Sequence, residues 1–233
     1  MIRAVVFDFD GTVFDSESHE YEVIAGIFRE HGAELPLEVW GQCIGREAGF
    51  FDPLAHLEAC IGRGVDREAL ARLRTERFHD RITGQGAMEG VEAAIDAAHE
   101  HGLRVGLASS SPSRWVLPQL ERLGVRSRFD AVRTADDVAR VKPDPELYLS
   151  VCAALGVRPA EAVAFEDSPN GALAARRAGL RCVVVPNAVT AGLPFGACDL
   201  RVASMLHVRI PELLAMWGAG EDTSNGAVGD SRR

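Results

Sequence analysis

The chain has 233 residues, with 34 acidic against 25 basic side chains and a formal net charge of −9. That balance excludes the broad basic surface needed to hold nucleic acid or an anionic membrane, yet leaves room for a small phosphorylated ligand that a few local cations can neutralise. The length suits one α/β core with a smaller inserted piece.

Met1 to Phe7 is an apolar run rich in β-branched residues, interrupted by Arg3 and stopped by Asp8. It is too short for a signal peptide or a membrane span and predicts a buried parallel strand in a cytoplasmic protein. Five cysteines, Cys43, Cys60, Cys152, Cys182 and Cys198, are odd in number and scattered, as expected of reduced core residues.

From Asp15 to Gly84 the pattern is helical throughout, over Glu17 to His31, Leu37 to Cys43, Phe51 to Ile61 and Asp66 to Ile82, punctuated by Gly32, Pro36, Gly45, Gly62 and Gly64. Gly84 and Gly86 suit a hinge where the insertion ends. Short apolar runs then recur at Leu103 to Ala108, Ala131 to Thr134, Ala162 to Phe165 and Arg181 to Val185, mostly separated by helical patterns. This alternation predicts an α/β fold: a doubly wound, Rossmann-like parallel sheet as core (residues 1–14 and 85–217), with residues 15–84 as an inserted helical cap. Residues 218–233, rich in Gly, Ser, Asp and Asn, read as a disordered tail.

The chemistry concentrates first in Asp8-Phe9-Asp10-Gly11-Thr12, at the carboxyl end of the first strand, where open α/β sheets bind ligands. Two acids spaced by two can face one side of an extended backbone, and Gly11 permits a sharp turn beside them. Burying two carboxylates together is costly unless a cation or a proton is shared, so the pair implies a metal. A calcium loop would continue with further oxygen ligands and a terminal Glu, whereas Val13 and Phe14 follow here.

The segment resembles the first motif of the haloacid dehalogenase superfamily. Ala108-Ser109-Ser110-Ser111 is similar to the second motif, Val141-Lys142-Pro143-Asp144-Pro145-Glu146 to the third, and the Glu166-Asp167 pair within Ala164 to Gly171 to the fourth. The helical insertion, with Asp15-Ser16-Glu17 at its entry and Gly45-Arg46 inside, resembles the cap of the β-phosphoglucomutase-like branch. The resemblance covers the chain to about Leu214 and implies a magnesium-dependent phosphatase of a small phosphorylated metabolite.

It also implies roles. Asp8 would attack phosphorus to give an aspartyl-phosphate, and Asp10 would serve as acid and then base. Magnesium would be held by the Asp8 carboxylate, the Asp10 backbone carbonyl and Asp167, with Glu166 nearby. The Ser109 hydroxyl, the Ser110 N–H and Lys142 would cradle the phosphate, while Glu17 and Arg46 would close over the substrate. Related β-phosphoglucomutases carry a cap-entry His where this chain has Glu20; His19, one residue earlier, is turned away by roughly 100° on a helix. This departure favours hydrolysis over a mutase. A phospho-accepting regulatory domain, the reading from another class, would be shorter and lack the helical insertion. Oligomeric state leaves no mark in this sequence.

Overall fold

The computed structural model describes residues 1–41, 44 and 51–218. Six strands form one sheet: β1 (Ala4–Phe7), β2 (Arg104–Ala108), β3 (Ala131–Arg133), β4 (Ala162–Glu166), β5 (Arg181–Val184) and β6 (Leu200–Arg201). Their order is β3-β2-β1-β4-β5-β6 and every pairing is parallel. The sheet therefore switches direction of winding at β1, and the crevice at such a switch is where this architecture places ligands.

Side chains of β1 alternate between two cores, as a period of two requires. Val5 and Phe7 join one apolar layer with α5 (Val91–Glu100), α6 (Ser113–Arg122) and α9 (Ile210–Gly218). Ala4 and Val6 join the other with α7 (Glu146–Leu155) and α8 (Pro169–Ala178). Burial on both faces explains the near-continuous apolar runs. Gly106 in β2 lets α7 pack close, since a Cβ there would lie 2.8 Å from Val151 and 2.9 Å from Leu155.

Register fixes the site. Phe7 pairs with Leu107 on one side and Phe165 on the other, so the residues just beyond them emerge at one edge. Asp8, Ser109, Glu166 and Asp167 thus meet although up to 159 positions apart in the chain, the separation of Asp8 from Asp167 (167 − 8).

Between β1 and α5 the described elements are all helical: α1 (Ser16–Glu30), α2 (Leu37–Trp40), α3 (Pro53–Ile61) and α4 (Arg67–Ile82). Three begin on an Asp whose carboxylate accepts backbone N–H groups: Asp15 from Ser18, Asp52 from Leu54 and Ala55, and Asp66 from Ala69. Val23, Ile24, Ile27, Phe28, Trp40, Leu57 and Leu70 form a separate apolar cluster within this insert. Val189, from the loop after β5, joins that cluster, and Asn170 on α8 donates to the Ile44 carbonyl at 3.0 Å.

The structure departs from the expected elements in several places. The helix expected over Leu37 to Cys43 ends at Trp40, and Cys43 lies outside the described residues. The strand β6 was not foreseen, because two residues at a sheet edge carry no periodicity. Gly218 closes α9 instead of opening a tail, and residues 219–233 lie outside the described part. No helix among the described residues is long and apolar enough to cross a membrane.

Candidate active site

The β1 strand ends by passing its ladder to one more residue, the Asp8 N–H donating to the Phe165 carbonyl at 3.0 Å. The chain then folds tightly. The Phe9 carbonyl accepts from Val13 (2.9 Å) and Phe14 (3.0 Å), and Gly11 N–H donates to the Phe14 carbonyl at 2.7 Å. Gly11 has φ +81°, and a Cβ there would lie closer than 3.0 Å to the Asp167 carboxylate and the Asn187 amide. Both backbone angle and space require glycine at this point.

Behind the turn sits a buried ionic cluster. The Lys142 ammonium lies 2.5 Å from Asp8 Oδ1 and 2.7 Å from Glu166 Oε1. The Tyr148 hydroxyl also donates to Glu166 Oε1, and Ser168 Oγ lies 3.4 Å from its Oε2. Burial, countered by Lys142 and reinforced by Glu166, pushes the Asp8 carboxyl up to about 8. Burial, together with Asp8 and Glu166, raises Asp167 well above the usual carboxylate range. Burial opposes charge on Lys142, yet Asp8 and Glu166 overcome it and the ammonium is raised. These directions share one cause: three buried carboxylates share one ammonium, so the ammonium is held firmly while the carboxylates are short of positive charge.

Asp8, Glu166 and Asp167 can each offer an oxygen, and these atoms all lie within 4.8 Å of one another. Three acids less one ammonium leave a formal surplus of two negative charges, and the donors are all hard oxygens. Such a set fits a small divalent cation that retains several waters. The cation would also reverse the local titration behaviour, drawing the raised carboxyls back down.

Asp10 stands apart from this group. Its Oδ1 accepts from Ser16 Oγ (2.6 Å) and Trp115 Nε1 (2.9 Å), and its Oδ2 from Ser111 Oγ (2.6 Å), with Ser109 Oγ at 3.5 Å. The carboxylates of the first motif's two acids therefore do not share one environment: Asp8 faces the ammonium, and Asp10 faces hydroxyls and an indole. The turn at Gly11 redirects the chain, and hydroxyls and an indole hold Asp10 on the β2 side.

Ser109 is fully buried; its N–H is spent on the Arg133 carbonyl and its hydroxyl accepts from Ser111 N–H at 3.0 Å. Ser110 Oγ is buried with no partner among the described residues. Ser110 and Lys142 border an open cavity of about 750 Å³ that Arg114, Asn170 and Arg177 also line. Glu17 is half-buried on α1, and burial, followed by the charges of Asp10, Asp8 and Asp15, pushes it up to about 8. Arg46 lies outside the described residues. Glu20 forms an ion pair with Arg74 of α4. His19 lines a second cavity, of about 680 Å³, beside Gln85 and Gly86.

Sequence reasoning missed Tyr148 and Asn187 as partners of the cluster, and Trp115 and Ser16 as partners of Asp10. Asn187 sits just beyond the end of β5, so the rule that led to the other strand ends could have found it. Trp115 lies in the first turn of α6, four residues past Ser111, with no motif to mark it.

Residues 2–179 match the family model for haloacid dehalogenase-like hydrolases. The chain is 51% identical over 214 residues to "Putative phosphatase YhcW" of Bacillus subtilis (strain 168), covering 92% of this chain and 97% of that one. It is 34% identical over 217 residues to the validoxylamine A 7′-phosphate phosphatase of Streptomyces hygroscopicus subsp. limoneus, covering 91% and 99% respectively. Among solved structures, β-phosphoglucomutase from Clostridium difficile superposes with a TM-score of 0.72 at 20% identity, over 94% of this chain and 98% of that one, a likeness of fold.

Proposed function

This chain belongs to the haloacid dehalogenase-like hydrolases and is a phosphatase, and from that premise we propose that it cleaves a small sugar-phosphate-like ester through Asp8. One observation carries the reading: the first motif's two acids occupy different environments, Asp8 against a buried ammonium and Asp10 among neutral donors. Two carboxyls with separated surroundings suit two separate tasks.

In this reading an Asp8 oxygen forms a bond to phosphorus as the ester P–O bond breaks, giving an aspartyl-phosphate. Asp10 delivers a proton to the departing alkoxide. It then takes a proton from the water that attacks phosphorus and releases inorganic phosphate and free Asp8. Lys142 neutralises charge beside Asp8, and the Ser109 and Ser110 region holds the phosphoryl oxygens. Asp8, Asp167 and the Asp10 carbonyl, with Glu166 behind them, would hold magnesium, which supplies the positive charge a carboxylate needs to approach a phosphate dianion. The described helices of the insert act as a cap, with Glu17 toward the substrate and Gly84 and Gly86 at the hinge.

The name of the validoxylamine relative supports a small phosphate ester as substrate. Glu20, where a mutase carries His, is engaged with Arg74, which supports transfer to water. The test is inorganic phosphate release from sorbitol 6-phosphate, glucose 6-phosphate, glucose 1-phosphate and phosphoglycolate, with and without magnesium. Asp8→Asn should abolish release while leaving the folded far-ultraviolet dichroism unchanged. Substantial turnover in that variant overturns the assignment, and conversion of glucose 1-phosphate to glucose 6-phosphate would replace it with a mutase.

A further inference from the structure

Beyond the end of β5 the chain turns back under the helical insert, and the turn is built around one side chain. Asn187 is 8% exposed. Its Oδ1 accepts from the N–H groups of Val189 (2.9 Å) and Thr190 (3.0 Å) and from Thr190 Oγ1 (3.2 Å). Its Nδ2 donates to Asp167 Oδ2 at 2.7 Å and to the Gly11 carbonyl at 3.3 Å. The amide has one possible orientation, because flipping it would set oxygen against oxygen at Asp167 and N–H against N–H in the turn.

Asp167 is 1% exposed, and among the described residues Asn187 is the side-chain donor to its carboxylate. A buried carboxylate with a single donor on one oxygen is restrained in rotation yet keeps lone pairs for a cation. The same amide closes the gap above Gly11, where no Cβ fits. The turn it shapes bears on the insert: Val189 is buried in the insert's apolar cluster, and a Cβ on Gly41 would lie closer than 3.0 Å to Leu193. One side chain therefore touches an acid of the ionic cluster, the loop after β1 and the seat of the helices above.

We infer that Asn187 is a positioning residue: it fixes the Asp167 carboxylate for a divalent cation and ties that ligand to the loop on which the helical insert rests. The inference rests on the proposed role of Asp167. Partners of metal ligands, removed singly, typically change metal affinity by about 10–100-fold.

The experiment uses the full chain without substrate and titrates Mn2+, following the free ion by electron paramagnetic resonance. Asn187→Ala should raise the Mn2+ Kd about tenfold. Thr190→Val, which loosens the same turn but leaves the Asp167 contact, should stay within about twofold of wild type, below the range expected for a ligand's own partner. Asn187→Asp keeps the turn's acceptor and sets a carboxylate beside Asp167; its thermal midpoint should therefore rise more on adding Mg2+ than that of wild type. This variant keeps the inference testable if Asn187→Ala does not fold.

An unchanged Kd in Asn187→Ala, or an unchanged Mg2+-induced rise in Asn187→Asp, overturns the inference. So does a wild-type chain that binds no divalent cation. If these shifts occur but wild type hydrolyses no phosphate ester, the phosphatase mechanism fails and the positioning role stands. If wild type hydrolyses esters with magnesium while every variant keeps the wild-type Kd, the reverse holds.

Discussion

Replacing Gly171 with alanine should destabilise the protein where helix propensity alone promises a gain. Gly171 is the third residue of α8, and alanine for glycine inside a helix is ordinarily worth about 0.5–1 kcal/mol. Here a Cβ would lie closer than 3.0 Å to three atoms of the Glu166 carboxylate. A long side chain could normally swing aside. Glu166, however, is 0% exposed, with Oε1 held by Lys142 at 2.7 Å and by the Tyr148 hydroxyl. Displacing it sacrifices hydrogen bonds to a charged group, about 1.5–3 kcal/mol, on top of about 1–3 kcal/mol of overpacking. After the helix gain the net loss is about 1.5–5.5 kcal/mol. Gly26 in α1 is the internal control, since its Cβ would meet only Arg29 Nη2 at 3.8 Å, and Gly26→Ala should stabilise by about 0.5–1 kcal/mol. Urea unfolding of both variants at neutral pH, compared through midpoints at a common m-value, measures the contrast. A Gly171→Ala midpoint at or above that of wild type would refute the reasoning that Glu166 is immobile.

Lys142→Met leaves Asp8 and Glu166 buried without their cation, and the metal-free protein should lose about 3–5 kcal/mol at pH 7, with partial recovery toward pH 5 because buried Asp8 binds its proton more tightly in the folded than in the unfolded chain. Equal urea midpoints for wild type and variant at pH 7 would contradict this. Glu17 keeps its proton in the folded state up to about 8 but loses it near its ordinary 4.5 when unfolded, so its contribution is present below about pH 4.5 and fades as pH rises toward 8. Glu17→Gln in EDTA should flatten this part of the stability profile between pH 5 and 8, and an unaltered slope would remove Glu17 from the buried acidic group. Trp115→Phe deletes the indole donor to Asp10 while retaining an aromatic ring beside Phe14 and Phe78, and should lower kcat about tenfold, as expected for one hydrogen bond to a charged group. An unchanged kcat and pH profile would show that the indole does not hold the acid in the working enzyme.

Much of the fold was legible because parallel strands buried on both faces leave apolar runs, and five of the six strands do so. Asp8, Glu166 and Asp167 stand at the ends of those runs, and Lys142 sits in a recognisable motif, so parallel register alone suffices to bring the acids to one edge. The orientation of Asp10 was not legible. It depends on a hydroxyl from α1, one from the loop after β2 and an indole from α6, brought together only by tertiary packing. Asn187 escaped notice for a related reason: an asparagine after Pro186 reads locally as a turn former, which it is, and its second contact lies across the sheet edge. Strand β6 was invisible because two edge residues offer no alternation to detect.

Trp115 stands between two things an experimenter would wish to watch. Its ring lies 5.7 Å from that of Phe78 on α4, and its indole nitrogen lies 2.9 Å from Asp10. The chain has three tryptophans, and the other two, Trp40 and Trp217, lie on other helices. With both replaced by phenylalanine, emission would come from a single fluorophore whose colour and quenching report the approach of the helical insert and the state of its carboxylate neighbour. Any displacement of α4 against α6, and any change in the surroundings of Asp10, could then be followed in real time by stopped flow, without attaching a label.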